Sequence, residues 1–241
     1  LKISGKLKTY KYRVKVLVIL SVALTLLQKI LSEMNSWKHG RLMVGLEKKV
    51  MQRREKIRPR RWIVDPLDGT TNFLHGLPHW AVSIALEHKG EIISGVIYDP
   101  SKDEMFFAEK GLGAWMNESR IRVSARYSIA DSLYATGIPC SGRIDDLPET
   151  INDLEKLMPK CSGVRRYGAA ALDLAYVAAG RYEGYWERNL NNWDIAAGVI
   201  IAREAGAIVE SISGNTDPLI DGSIIAVTEV QFDKLAKIIR Q

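Results

Sequence analysis

The chain has 241 residues, 46% of them apolar and 26% charged, a balance that supports one extended buried core and excludes a disordered or fibrous chain. Its two cysteines, Cys140 and Cys161, are too few for a disulfide framework and lack the neighbouring Cys or His of a structural zinc site; a reducing, cytoplasmic setting is expected. The net charge of +6 hides a division, because residues 1–61 hold 17 of the 34 Lys and Arg but 3 of the 28 Asp and Glu, or +14, and the remainder carries −8.

In chain order, the first segment contains a twelve-residue apolar run, VLVILSVALTLL at 16–27, preceded by basic residues. It falls short of the ~20 residues that span a bilayer, no small-residue cleavage site follows it, and no membrane association is expected. From Trp62 onward the pattern is that of an α/β protein. Ala81–Leu86 and Glu91–Tyr98 read as strands joined by a polar turn at His88-Lys89-Gly90, and Met105–Ala108 with Gly111–Trp115 as a shorter hairpin. The Ala- and Leu-rich stretch 169–179 predicts a helix ended by Gly180, and 194–205 a second helix with Asp194 near its start and Gly206 just past its end. Residues 224–227 predict a buried strand and 229–240 a closing amphipathic helix.

Two acidic clusters carry the chemistry. In Trp62-Ile63-Val64-Asp65-Pro66-Leu67-Asp68-Gly69-Thr70-Thr71-Asn72-Phe73, an apolar strand is expected to end at Asp65, where Pro66 removes a ladder donor. Asp65, Asp68 and the Leu67 carbonyl then converge as oxygen ligands suited to a hard cation such as Mg²⁺. Gly69-Thr70-Thr71 offers main-chain N–H groups to a phosphate if a helix begins there. A bare Asp-Pro-Leu-Asp-Gly reads first as a turn, and Asp194 in Trp193-Asp194-Ile195-Ala196-Ala197-Gly198 by itself reads as a helix cap; the two clusters together change that.

Taken together, DPLDGTT, Glu187, WDIAAG, LPHWAVSIAL, RRYGAAALDLAYVAAGRYEGYWE and EAGA resemble the inositol monophosphatase family in order and spacing over residues 62 to 228. The resemblance implies an αβαβα sandwich and hydrolysis of inositol monophosphate or a related sugar-alcohol phosphate, with two or three Mg²⁺ per site. It implies metal ligation by Asp65, Leu67, Asp68 and Asp194. Gly69, Thr70 and Thr71 would contact phosphate, and the Thr70 hydroxyl would orient the attacking water. Gly168, Ala169, Ala170 and Glu187 would face the alcohol, with Asp68 and Asp194 also close to the substrate. Many relatives have Ser or Thr where Ala169 stands, which bears on substrate preference. Fructose bisphosphatase, nucleotide 3′-phosphatase and histidinol phosphatase activities share this metal chemistry. Relatives are often homodimers, and some bacterial ones act through RNA polymerase and ribosomal RNA synthesis independently of catalysis.

Residues 1–60 depart from the family. The position of the family's water-activating Glu reads Gly45-Leu46-Glu47-Lys48-Lys49, so Glu47 is the candidate ligand and base, or else a solvated surface acid among lysines. A shifted reading frame accounts for this segment. Taking the last base of each codon with the first two of the next turns Met34-Asn35 and Trp37-Lys38 into Glu, Met43-Val44 into Gly and Met51-Gln52 into Ala, and permits a Glu-Glu-Ser motif before Trp62. With the segment as it stands, weak activity is expected.

Overall fold

The computed structural model describes residues 60–139 and 145–240. Glu47, the 16–27 run, the atypical segment up to residue 59 and Cys140 lie outside the described residues. Among the described residues no helix is long and apolar enough to cross a membrane.

The first half is a meander. Strands β1 (Arg60–Asp68), β2 (Ala81–His88), β3 (Glu91–Asp99), β4 (Glu104–Glu109), β5 (Ala114–Met116) and β6 (Ser119–Ile121) form an antiparallel sheet in sequence order, interrupted only by the one-turn helix α1 (Thr70–Leu74) after β1. The expected β2–β3 turn is present. Lys89 and Gly90 both have positive φ, 54° and 82°, which suits the right-handed twist of the flanking strands. Register places Ile63, Ala85, Gly95, Ala108, Ala114 and Ile121 side by side. This face of small residues admits a helix closely: a Cβ on Gly95 would lie 2.7 Å from Ile200 Cγ2. The opposite face aligns Val64, Ile84, Val96, Phe107 and Trp115, so the sheet is apolar on both sides, as an internal layer must be.

The second sheet has the order β10-β11-β9-β7-β8, from β7 (Leu133–Thr136), β8 (Gly163–Arg165), β9 (Gly184–Glu187), β10 (Ala207–Glu210) and β11 (Ile224–Thr228). β7 runs parallel to both β8 and β9. The β7-to-β8 and β8-to-β9 connections travel in opposite directions across the sheet, so right-handed crossovers put their helices on opposite faces. Helix α2 (Leu147–Leu157) accordingly lies on one side, and α3 (Ala170–Ala178) on the other beside α4 (Asn192–Ala205). The short α5 (Pro218–Asp221) precedes β11. The final helix α6 (Phe232–Ile239) joins α2 over Tyr134, Trp186, Ile225 and Val227. The fold is therefore an α/β sandwich: sheet, helix pair α3/α4, sheet, helix pair α2/α6. Four consecutive layers of the expected αβαβα order are seen, and the remaining α layer is not among the described residues.

The strand expected at Gly111–Trp115 begins only at Ala114, because Gly111 and Gly113, both at positive φ, belong to the turn; three further boundaries differ. β1 does not end at Asp65: the chain bulges between Asp65 and Asp68 and pairing resumes at Asp68 opposite Ala81, because a bulge accommodates the missing Pro66 donor without ending the strand. α4 starts at Asn192, two residues before Asp194. The closing segment begins as a 3₁₀ turn, Glu229–Gln231, because the buried Gln231 amide is turned inward to Arg126 O (2.6 Å) and Ser132 Oγ (2.8 Å).

Candidate active site

The first corner of the site is made where β1 passes into α1. Within the bulge the Leu67 N–H donates to Asp65 Oδ1 at 3.0 Å, while Asp68 turns inward, 8% exposed, and accepts from the Ala171 N–H at 2.8 Å. Gly69 then reverses the chain with φ 82°. A side chain there would be both strained and obstructed, since its Cβ would meet His79 O at 2.9 Å. α1 follows directly, so its first N–H groups have no acceptor within the helix. The Thr70 hydroxyl donates to Leu67 O at 2.9 Å, which joins two residues of the expected site to each other. Thr71 is exposed.

The second corner is the start of α4. Asn191 is the cap residue, and Asp194 Oδ2 accepts from the Asn191 N–H at 2.7 Å to complete a capping box. Asp194 is thus the third residue of its helix and not the cap itself. The third element is the start of α3, where Gly168 has φ 79°, Ala169 caps the helix, and Ala169 and Ala170 are buried. On β9 the half-buried Glu187 accepts from the Tyr185 hydroxyl at 2.6 Å.

Electrostatics ties these parts together. Burial, then the charges of Asp65 and Asp194, push the Asp68 carboxyl well above the usual carboxylate range, against the opposing bond from Ala171. The buried Tyr185 phenol is likewise raised, first by burial and then by Glu187, Asp173 and Asp68. Asp65, Asp68, Asp194 and Glu187 therefore occupy one electrostatic neighbourhood. Such crowding of like charge around a buried carboxylate is what a bound cation relieves, and carboxylates with a main-chain carbonyl are the donors a hard cation takes. Among the described residues, however, no three His, Cys, Asp or Glu side chains gather closely enough to enclose an ion. Asp65 and Asp194 each also give an oxygen to a main-chain N–H, and the donor set is of the kind that suits Mg²⁺.

Three residues around the site are not singled out by the sequence motifs. Asn72, 8% exposed, donates to His79 O (2.8 Å) and Tyr167 O (2.7 Å) and so clasps α1 to the loop before α3. Asp173 is 1% exposed, its Oδ1 has no partner among the described residues, and burial and then Glu187 raise it well above the carboxylate range. Tyr185 holds Glu187. Of the three, only Asp173 could have been noticed, as a lone acid in an Ala- and Leu-rich helix.

The model of the inositol monophosphatase family matches residues 22–241. The chain is 51% identical over 181 residues to the inositol-1-monophosphatase of Mesorhizobium japonicum, covering 75% of this chain and 68% of that protein. It is 48% identical over 166 residues to the Nus factor SuhB of Pseudomonas aeruginosa, covering 68% of this chain and 61% of that one. The crystal structure of the extragenic suppressor protein suhB from Bartonella henselae superposes with a TM-score of 0.73 at 50% identity, over 76% of this chain and 70% of that one. The chain thus spans about two thirds of the length of the curated relatives it matches. Strand order, the bulged Asp65–Asp68 corner, the capped Asp194 helix and the match over most of the sequence lead to one assignment: the chain belongs to the inositol monophosphatase family.

Proposed function

We propose that the chain is a phosphoric monoester hydrolase acting on the phosphate of a small polyol, inositol monophosphate first among them, with Mg²⁺ as cofactor. The observation that carries this reading is Asp68: a buried carboxylate crowded by Asp65 and Asp194, immediately before the first N–H groups of α1, which have no acceptor within the helix. An acid cluster beside an anion cradle suits a cation and a phosphate together.

In this reading Asp65, Asp68, the Leu67 carbonyl and Asp194 would hold the metal. When bound, Mg²⁺ neutralises phosphate oxygens and lowers the pKa of a water. The N–H groups of Gly69 and Thr70 hold the phosphate, with Thr71 beside them. Because the Thr70 hydroxyl donates to Leu67 O, its lone pairs are left to accept a hydrogen bond from the attacking water, which fixes that water in line with the leaving oxygen. Glu187 accepts from a polyol hydroxyl, and the Gly168-Ala169-Ala170 turn shapes the other side.

The test is phosphate release from inositol 1-phosphate, fructose 1,6-bisphosphate, a nucleotide 3′-phosphate and histidinol phosphate, with Mg²⁺ and with EDTA. Inositol 1-phosphate is expected to give the highest kcat/KM, EDTA to abolish turnover, and Asp65→Asn to lower it by at least ~100-fold. A folded chain releasing no phosphate, or releasing it equally with Asp65→Asn, overturns the reading. The likeness to a Nus factor favours a second role, in ribosomal RNA synthesis through RNA polymerase. That role would survive Asp65→Asn.

A further inference from the structure

Gly137 follows β7, and its backbone lies outside the left-handed region, so conformational freedom does not explain a glycine there. Space does. A Cβ at this position would fall 1.9 Å from Glu187 Cδ, 2.0 Å from Oε1 and 2.2 Å from Oε2. The whole carboxylate of Glu187 rests against the Gly137 backbone, closer than any side chain would permit.

The sheet places it there. β7 and β9 run parallel with Ala135 beside Tyr185 and Thr136 beside Trp186, which brings Gly137 beside Glu187 on the same face as Ala135 and Tyr185. The Thr136 hydroxyl donates to Trp186 O at 2.7 Å and pins the register at this point. Tyr185, 0% exposed, then reaches along its own strand to donate to Glu187 Oε2 at 2.6 Å. A carboxylate accepts several hydrogen bonds, so the Tyr185 bond fixes Glu187 without exhausting it.

We propose that Gly137 and Tyr185 are positioning residues that hold the Glu187 carboxylate in the orientation that recognises a polyol hydroxyl, Gly137 by leaving it room and Tyr185 by tethering one oxygen. The inference rests on the proposed function and adds to it the device that sets preference for a hydroxylated ester. A methyl group at 137 displaces the carboxylate, and loss of the phenol hydroxyl frees it to rotate. In both cases the hydroxyl loses a charged acceptor, whereas neither change removes a bond shown at the phosphate end, since the Tyr185 hydroxyl bonds to Glu187.

The experiment uses the full chain as Gly137→Ala, Tyr185→Phe and Gly137→Ala combined with Glu187→Ala. Each is assayed with inositol 1-phosphate and with phenyl phosphate, which has no hydroxyl to offer, and melted thermally. For inositol 1-phosphate, KM is expected to rise about tenfold in Gly137→Ala and about threefold in Tyr185→Phe, with kcat within about twofold. Phenyl phosphate kinetics should move by less than about twofold in both. Gly137→Ala should lower Tm, and adding Glu187→Ala should restore most of the loss, because the three atoms nearest to the added Cβ all belong to that side chain. Equal losses on the two esters, or a double variant no more stable than Gly137→Ala, overturn the assignment of roles. Wild-type chain that hydrolyses phenyl phosphate but not inositol 1-phosphate overturns it too while leaving phosphomonoesterase chemistry standing; hydrolysis of neither ester removes the functional reading beneath it.

Discussion

The two corners that supply acids to the site are built by different means. At Asp65–Thr71 the backbone bulges, reverses through a left-handed glycine and enters a helix of one turn. At Asn191–Gly198 it runs straight into a fourteen-residue helix behind a capping box. The irregular corner is held from outside, by Asn72 reaching to residues 79 and 167 and by Asp68 reaching to Ala171. The regular one is held by bonds between residues three apart. Geometry sustained by distant partners depends on the whole fold, whereas geometry sustained by a cap survives wherever the helix forms.

The largest effect expected from this contrast separates activity from stability. Asp68→Asn keeps the shape, retains an oxygen for Ala171, and removes a buried charge that Asp65 and Asp194 repel. Turnover should fall by at least ~100-fold, while the urea midpoint holds or rises. A clear drop in the midpoint would mean that Asp68 is charged and paired in the folded protein. Asn72→Ala should come next. It leaves the carbonyls of His79 and Tyr167 without their donor, each worth about 1–3 kcal/mol, so about 3 kcal/mol of unfolding free energy should be lost. A loss below ~1 kcal/mol would show that water replaces the amide and that the clasp is dispensable.

A matched pair sharpens the comparison. Gly69→Ala places a methyl group at φ 82° against His79 O at 2.9 Å and should cost about 2 kcal/mol, from left-handed strain together with the displaced carbonyl. Asp194→Ala breaks one half of a capping box and should cost about 1 kcal/mol. Denaturant titrations in which the two costs are reversed would contradict the view that the irregular corner is the more tightly determined.

This contrast also marks how far the sequence could be read. The β2–β3 hairpin, α3, α4 and β11 follow from local pattern: apolar periodicity, Gly180 and Gly206 at helix ends, and a turn at Lys89-Gly90. Asp65, Asp68 and Asp194 stand out because motif order marks them. The continuation of β1 through Pro66 was not legible, since only the partner strand shows that pairing resumes at Ala81. Nor were the Asn72 clasp, which reaches 7 and 95 positions along the chain, and the Gly137–Glu187 contact, neither of which leaves a periodic trace. The capping residue Asn191 was legible in principle, because Asn191 and Asp194 stand at capping-box spacing, but the Trp193-Asp194 motif drew the helix start toward itself.

His79 gives the smallest effect and the one specific to the irregular corner. Its ring lies 5.0 Å from that of Tyr167 and 6.0 Å from that of Tyr176, and its buried Nε2 has no partner among the described residues. Burial, and secondarily the positive charge of Lys102, lower its pKa from 6.5 to about 4. The imidazole is therefore neutral in the folded protein down to about pH 4, while the unfolded chain takes up a proton near pH 6.5. Between these values the unfolded state binds more protons, so stability is complete above about pH 6.5 and declines as the pH falls toward 4. The ring is only partly buried, and solvent screening reduces the effect to about 1 kcal/mol between pH 7 and pH 5. In urea titrations at those two pH values, His79→Gln should show a pH-dependent loss smaller by that amount. An unchanged loss would place the acid sensitivity in other groups and leave the irregular corner indifferent to the protonation of its neighbour.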